Sequence, residues 1–142
     1  MVEHPNYNDN TDQYDMGLLF LEASTMMDIT YPTLNNDADY PTVGTTTHVM
    51  GWGDTDAGTN QKVSDHLLIV DLDVISNSDC SRMERAQDGE NISYSGWIFD
   101  DMLCTFSPGQ DACQGDSGKL NIVCLVNWFA HIMKDYVLIH LC

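Results

Sequence analysis

A serine set between two glycines is the feature of this chain best suited to covalent chemistry. Residues 111–118 read Asp-Ala-Cys-Gln-Gly-Asp-Ser-Gly. A serine hydroxyl is a weak nucleophile until a neighbouring base takes its proton. Backbone N–H groups presented beside it would stabilise the negative oxygen that forms when it attacks a carbonyl. Such a loop is half of an acyl-transfer site. The other half is a base, and the chain offers His4, His48, His66, His131 and His140. No pair of these stands at ligand spacing and no Cys-x-x-Cys occurs, so the sequence implies neither a metal nor a cofactor.

The loop resembles the nucleophile loop of the trypsin-like (chymotrypsin-fold) serine endopeptidases. Two further segments resemble that family in the same order. Tyr14-Asp15-Met16-Gly17-Leu18-Leu19-Phe20-Leu21 is similar to the segment that carries the triad aspartate. Val49-Met50-Gly51-Trp52-Gly53 is similar to the strand that opens the second barrel. The resemblance runs over about residues 3–118 and implies roles for particular side chains. Ser117 would be the nucleophile, with the N–H groups of Gly115 and Ser117 forming the oxyanion hole. Glycine suits position 115, because an inward-pointing N–H there needs a backbone conformation that side chains resist. Asp15 would hold the base imidazole in the right tautomer and stabilise its charged form. Asp111, six residues before Ser117, matches the floor of the specificity pocket, where a carboxylate selects Arg or Lys at the cleaved position. Asp116 matches the residue that pairs with a new amino terminus after zymogen cleavage, and no activation site stands upstream of it. An unpaired buried carboxylate is costly, so a zymogen-like oxyanion loop is expected.

The base is what the resemblance does not supply. The family histidine sits in an Ala-Ala-His-Cys setting several tens of residues before the aspartate segment, and none of the five histidines has it. His4 matches a non-catalytic surface position, His48 and His66 fall on strands, and His131 and His140 belong to the tail. Without a base, attack on an amide loses several orders of magnitude. The expectation is a serine-type endopeptidase by family, cleaving after Arg or Lys through an acyl-enzyme, and inactive as this chain is written. The alternative is a non-catalytic homologue acting as a binding module. The expected partners are polypeptides with Arg or Lys at the cleaved position, with protein protease inhibitors as a further class.

Composition narrows the rest. Asp plus Glu number 22 against 5 Lys plus Arg, a formal net charge of −17. No basic stripe exists to neutralise phosphates, which argues against nucleic acid and against anionic membrane surfaces. The acidity reads first as a solvated, self-repelling surface, and only second as an attraction for basic peptide substrates. Cysteines at 80, 104, 113, 124 and 142 fit an oxidising compartment. The resemblance pairs Cys80 with Cys104 and leaves Cys113 seeking a later partner; five being odd, at least one thiol is left over. Extracellular localisation follows from the resemblance. The opening residues carry no signal peptide, so a missing beginning is expected. Asn91-Ile92-Ser93 is a glycosylation sequon. The Asn/Asp-rich run over residues 8–13 invites calcium, but it lacks the glycine and glutamate of an EF-hand loop and reads as a solvated turn.

Short apolar runs separated by turn clusters point to an all-β barrel architecture. Strands are expected over residues 18–21, 47–50, 68–74 and 102–106, the third from the alternation of Leu68, Val70, Leu72 and Val74 with Asp71 and Asp73. N-cap residues over 76–79 predict a short helix over 80–86, followed by a loop over 88–95. With the resemblance, the chain becomes part of a two-barrel trypsin-like fold. Residues 1–32 would complete the N-terminal barrel, and 33–118 would form the linker and the first half of the C-terminal barrel with its nucleophile loop. Residues 119–142 would be an unrelated hydrophobic tail. Half-barrels would expose unpaired strand edges. Asn127, Lys134 and Asp135 interrupt the tail, leaving no apolar span long enough for a membrane anchor. Gly118-Lys119-Leu120 is what one frame of a 5′ splice-site consensus would encode, so the tail reads as translated non-coding sequence.

Overall fold

The computed structural model describes residues 1–24, 26, 28, 35–55, 62–87, 90–110, 120–121 and 136–140. In chain order its elements are β1 (Val2–Glu3), β2 (Met16–Phe20), β3 (Thr46–Gly51), β4 (Leu68–Ile75), α1 (Asn77–Cys80), β5 (Glu84–Gln87), β6 (Glu90–Ser93), β7 (Cys104–Phe106), β8 (Leu120–Asn121) and β9 (Tyr136–His140). The strands form sheets in the orders β1-β2-β9, β7-β4-β3-β8 and β5-β6. All pairings are antiparallel. The architecture is all-β apart from one turn of helix, and none of the described sheets closes on itself.

The four-stranded sheet follows from period-2 patterning. Along β3, Thr47, Val49 and Gly51 are buried, while Thr46 and His48 are exposed. The register sets Thr47 opposite Leu72 and Val49 opposite Val70, so the inner face collects apolar atoms. Leu72 and Val74 are each 3% exposed. Thr47 is fully buried, and its hydroxyl is satisfied by donating to the Leu72 carbonyl at 2.9 Å. On the outer face the same register brings polar groups together. His48 Nδ1 lies 2.6 Å from Asp71 Oδ1, and Thr46 donates to Asp73 at 2.7 Å. Burial fades toward the start of β4, where Leu68 and Ile69 are 46% and 64% exposed.

The short elements are held by side chains rather than by length. A four-residue helix is far below the size that stands alone in water. Ser76 caps α1 by accepting the Asp79 N–H at 3.0 Å. Asn77 reaches the carbonyls of Phe99 and Met102 at 2.8 and 3.1 Å. Cys80, its last residue, is joined by a disulfide to Cys104 at the start of β7, with the Cα atoms 6.2 Å apart.

Two local expectations are corrected. The helix lies over Asn77–Cys80, not 80–86, because Glu84–Gln87 pairs with Glu90–Ser93 in a hairpin. The intervening residues are Asp88-Gly89, a strong two-residue hairpin signal in the sequence. Cross-strand pairing there overrides the helical propensity of Glu84, Arg85 and Ala86. β1, in the opening residues, pairs with β2 through backbone groups and needs no apolar pattern. Finally, the second edge of β2 is not left unpaired. β9 runs along it from Met16↔His140 to Phe20↔Tyr136.

Candidate catalytic site

The segment leading into β2 builds an unusual pedestal for one carboxylate. Asn8 and Gln13 form an isolated bridge, and the turn between them closes through Thr11 N–H to Asn8 O at 3.2 Å. Asp12 and Tyr14 both adopt left-handed backbone, with φ of 54° and 55°. For non-glycine residues that conformation costs roughly 1–2 kcal/mol each, so surrounding bonds must hold it. Met16 N–H donates to Tyr14 O at 2.7 Å, closing a three-residue turn with Asp15 at its centre. Asp15 is 6% exposed.

Two groups brace that turn. Asp101, on the loop before β7, accepts the Tyr14 N–H at 2.7 Å and the Gln13 side-chain amide at 3.3 Å. His4 stacks on the Tyr14 ring, with centroids 5.0 Å apart and planes 8° from parallel. His4 also donates its backbone N–H to Met16 O at 2.9 Å. Its Nδ1 accepts the Asn6 N–H at 3.1 Å, which fixes the proton of the neutral ring on Nε2. The ring is 7% exposed, so the expected surface position of His4 is corrected: it is a buried packing residue. The carboxylates around this turn also act on Tyr7. Its phenol is held above the usual tyrosine range, first by desolvation and then by Asp15, Asp12, Asp9 and Glu3.

Of the other histidines within the described residues, His140 lies in β9, where its backbone pairs with Met16, the residue after Asp15, and His48 and His66 stand elsewhere. His48 is engaged with Asp71 on the outer face of β3 and β4. His66 lies in a bend before β4, where its N–H donates to Ser64 Oγ at 3.2 Å and its carbonyl accepts the Ser64 hydroxyl at 2.8 Å.

Asp111, Cys113, Gly115, Asp116 and Ser117 lie outside the described residues, as do Cys124, His131 and Cys142. The frame on either side of that loop is described. β7 leads into a tight turn bridged between Ser107 and Gln110, with Gly109 at φ 76°. On the far side Leu120, three residues after Ser117, pairs with Met50. Next to Met50, Gly51 and Gly53 are buried while Trp52 is 57% exposed. The chain then turns into a short ladder, with Thr55 N–H donating to Lys62 O at 3.1 Å and Lys62 N–H to Asp54 Oδ1 at 2.8 Å. Asp101 is the residue that sequence reading overlooked. Nothing distinguishes it in the sequence from the other acidic residues, since its role appears only when two distant loops meet. Among the described residues, no cluster of three or more His, Cys, Asp or Glu side chains could hold a metal. Nor is any described helix long and apolar enough to cross a membrane.

Comparison with known proteins bears on the same segments. The family model described as Trypsin matches residues 1–119. Trypsin epsilon of Drosophila erecta is 36% identical over 115 residues, covering 81% of this chain and 42% of that protein. Human Kallikrein-12 is 34% identical over 136 residues, covering 89% of this chain and 50% of its own length. Trypsin alpha-3 of Lucilia cuprina is 29% identical over 115 residues, which is 64% of its length. The chain thus spans half or less of the first two relatives. Trypsin homologues are typically secreted, in keeping with the disulfide between Cys80 and Cys104. A family match that takes in the Asp15 turn, the Gly-Trp-Gly strand and the Ser117 loop together makes this chain a member of the trypsin family of serine peptidases.

Proposed function

We propose that this chain derives from a serine endopeptidase that cleaves polypeptides after Arg or Lys, and that the chain as written does not turn over substrate. Ser117 is assigned the nucleophile, and the N–H groups of Gly115 and Ser117 the stabilisation of the tetrahedral oxyanion. Asp111 is assigned the charge that selects a basic side chain in a desolvated slot. Asp15 is assigned the orientation of a base imidazole. The observation that supports this most directly is the burial of Asp15 at the centre of a tight turn with left-handed backbone before it. Strained backbone around a buried carboxylate is a common mark of a functional position.

The organisation proposed alongside is residues 1–32 from one barrel, 33–118 as linker and part of the next, and 119–142 as a segment foreign to both. The base is the missing element. His4 and His48 are engaged as described, His66 sits on a separate bend, and His140, although β9 pairs it with Met16, belongs to the tail segment. Without general-base help, Ser117 keeps its proton and the acyl-enzyme does not form at a useful rate. Loss of one triad member costs on the order of 10⁴- to 10⁶-fold in rate.

Two measurements on the 142-residue chain test the reading. A serine-reactive fluorophosphonate should label Ser117 negligibly, and arginyl-ester hydrolysis should stay near background. Brisk hydrolysis abolished by Ser117→Ala would refute the inactive assignment. Brisk hydrolysis of leucyl rather than arginyl esters would refute the role given to Asp111.

A further inference from the structure

Asn91-Ile92-Ser93 has the form Asn-x-Ser, with neither Ile92 nor the following Tyr94 a proline. In sequence alone such a tripeptide is frequent by chance. Two structural observations change its weight. The first is its place in the fold. Residues 91–93 lie in β6, whose hairpin with β5 forms a two-stranded sheet of its own, and all three are exposed. Ile92 is 37% exposed, and Trp97, just beyond the hairpin, is 54% exposed. Ser93 Oγ accepts the Ser95 N–H at 3.1 Å, which turns the chain immediately after the tripeptide. A substituent on Asn91 would therefore project into solvent from an element outside the larger sheets.

The second observation is covalent. The hairpin lies within the 24-residue interval closed by the Cys80–Cys104 disulfide. An intrachain bond of that kind forms in the oxidising secretory compartment, which is also where lipid-linked oligosaccharide is transferred to protein. The hairpin and the disulfide that closes around it thus belong to the same compartment.

We propose that Asn91 is an attachment site for an N-linked oligosaccharide. The donor is a lipid-pyrophosphate-linked oligosaccharide, brought by the resident transferase. The Asn91 side-chain nitrogen forms a bond to the anomeric carbon of the first sugar as the carbon–oxygen bond to pyrophosphate breaks. The lipid pyrophosphate leaves with the electron pair, and the amide proton passes to a transferase base. This inference does not depend on whether Ser117 is active.

The test is translation of the full 142-residue chain behind an appended secretion leader and a short tag bearing one reference sequon, in the presence of rough microsomes. Glycans are counted with an endoglycosidase on molecules whose reference sequon is occupied, so failed translocation is never scored. Two glycans are expected on the native sequence, one on Asn91→Gln, one on Ser93→Ala, and two again on Ser93→Thr. A single glycan on the native sequence, or two on Asn91→Gln, overturns the proposal. Transfer is read on the emerging chain, so the count stands even if a variant folds poorly.

Discussion

Replacing both Cys80 and Cys104 with serine should be among the most damaging changes available. The bond closes a 24-residue interval. In the chain-entropy account, releasing a loop of that size restores about 11.6 cal/mol/K to the unfolded ensemble, or about 3.4 kcal/mol at room temperature. Native-state effects add to this. α1 has only one turn, and the bond ties its last residue to the first residue of β7. The buried apolar residues among those described are Leu18, Val49, Leu72, Val74 and Cys104, so the described core is small and absorbs little of the loss. Urea unfolding of the oxidised chain and of the double serine variant measures the difference. With a slope typical of small proteins, the midpoint should fall by roughly 1–3 M. Asn77 offers a control, because it holds the same helix to the Phe99 and Met102 carbonyls without covalent closure. Asn77→Ala should cost about 1–2 kcal/mol for two partly buried hydrogen bonds, less than the disulfide. A double serine variant that lost under 1 kcal/mol, with the slope unchanged, would refute the reasoning. The unfolded chain would then be as restricted without the bond as with it.

Three further outcomes follow from single contacts. Asp101→Asn removes the charge from the group that accepts the Tyr14 N–H, and should cost about 1 kcal/mol and speed hydrogen exchange at that amide; unchanged exchange would show that Asp101 does not hold the turn. The Asp79 carboxyl is held below its usual range, first by the Ser76 hydroxyl and then by Arg82. A depressed carboxyl stabilises the fold above the unfolded pKa and loses that contribution as pH falls through its folded value. In Ser76→Ala, an NMR titration should therefore find Asp79 titrating at higher pH than in the native chain. The Tyr7 phenol should ionise at lower pH in Asp15→Asn than in the native chain, because one of the carboxylates opposing phenolate is gone. Phenolate absorbance against pH reads this directly, and no change would place the Asp15 charge out of reach of Tyr7.

How much of this was legible in the sequence depends on the range of the interaction. The β3 and β4 strands were readable because each residue's face is set by its parity, so Leu72 and Val74 declare themselves beside Asp71 and Asp73. The Ser76 cap was readable because a cap is a contact within three residues. The helix end was signalled only from outside the helix, by Asp88-Gly89. Arg82 to Ala86 carries good helix formers, and what turns Glu84–Gln87 into a strand is a partner several residues away. The Asp15 segment was recognisable by resemblance, but its pedestal was not. Left-handed backbone at Tyr14 has no signature in a residue that ordinarily avoids it, and its brace, Asp101, lies 87 positions away.

The pairing of β9 with β2 shows which part of such a fold depends on family and which does not. β9 lies beyond the residues that match the trypsin family, yet it covers the edge of the strand that follows Asp15. Strand pairing is made by backbone groups, so an edge accepts a segment such as Tyr-Val-Leu-Ile-His on β-propensity alone. Packing is not so tolerant, because it requires side chains of matching shape. The exposed apolar groups show the difference. Trp52, Val63, Leu67 and Ile69 are each at least half exposed at the Gly-Trp-Gly end of the four-stranded sheet. Phe20 is 51% exposed at the end of β2, even with β9 alongside. An edge can therefore be covered by a strand from outside the matched residues while the faces stay bare. A catalytic centre needs side chains fixed to within a fraction of an ångström, which faces provide and edges do not. Backbone pairing of this kind can stabilise the strand that follows Asp15, but it does not by itself fix where a side chain lies.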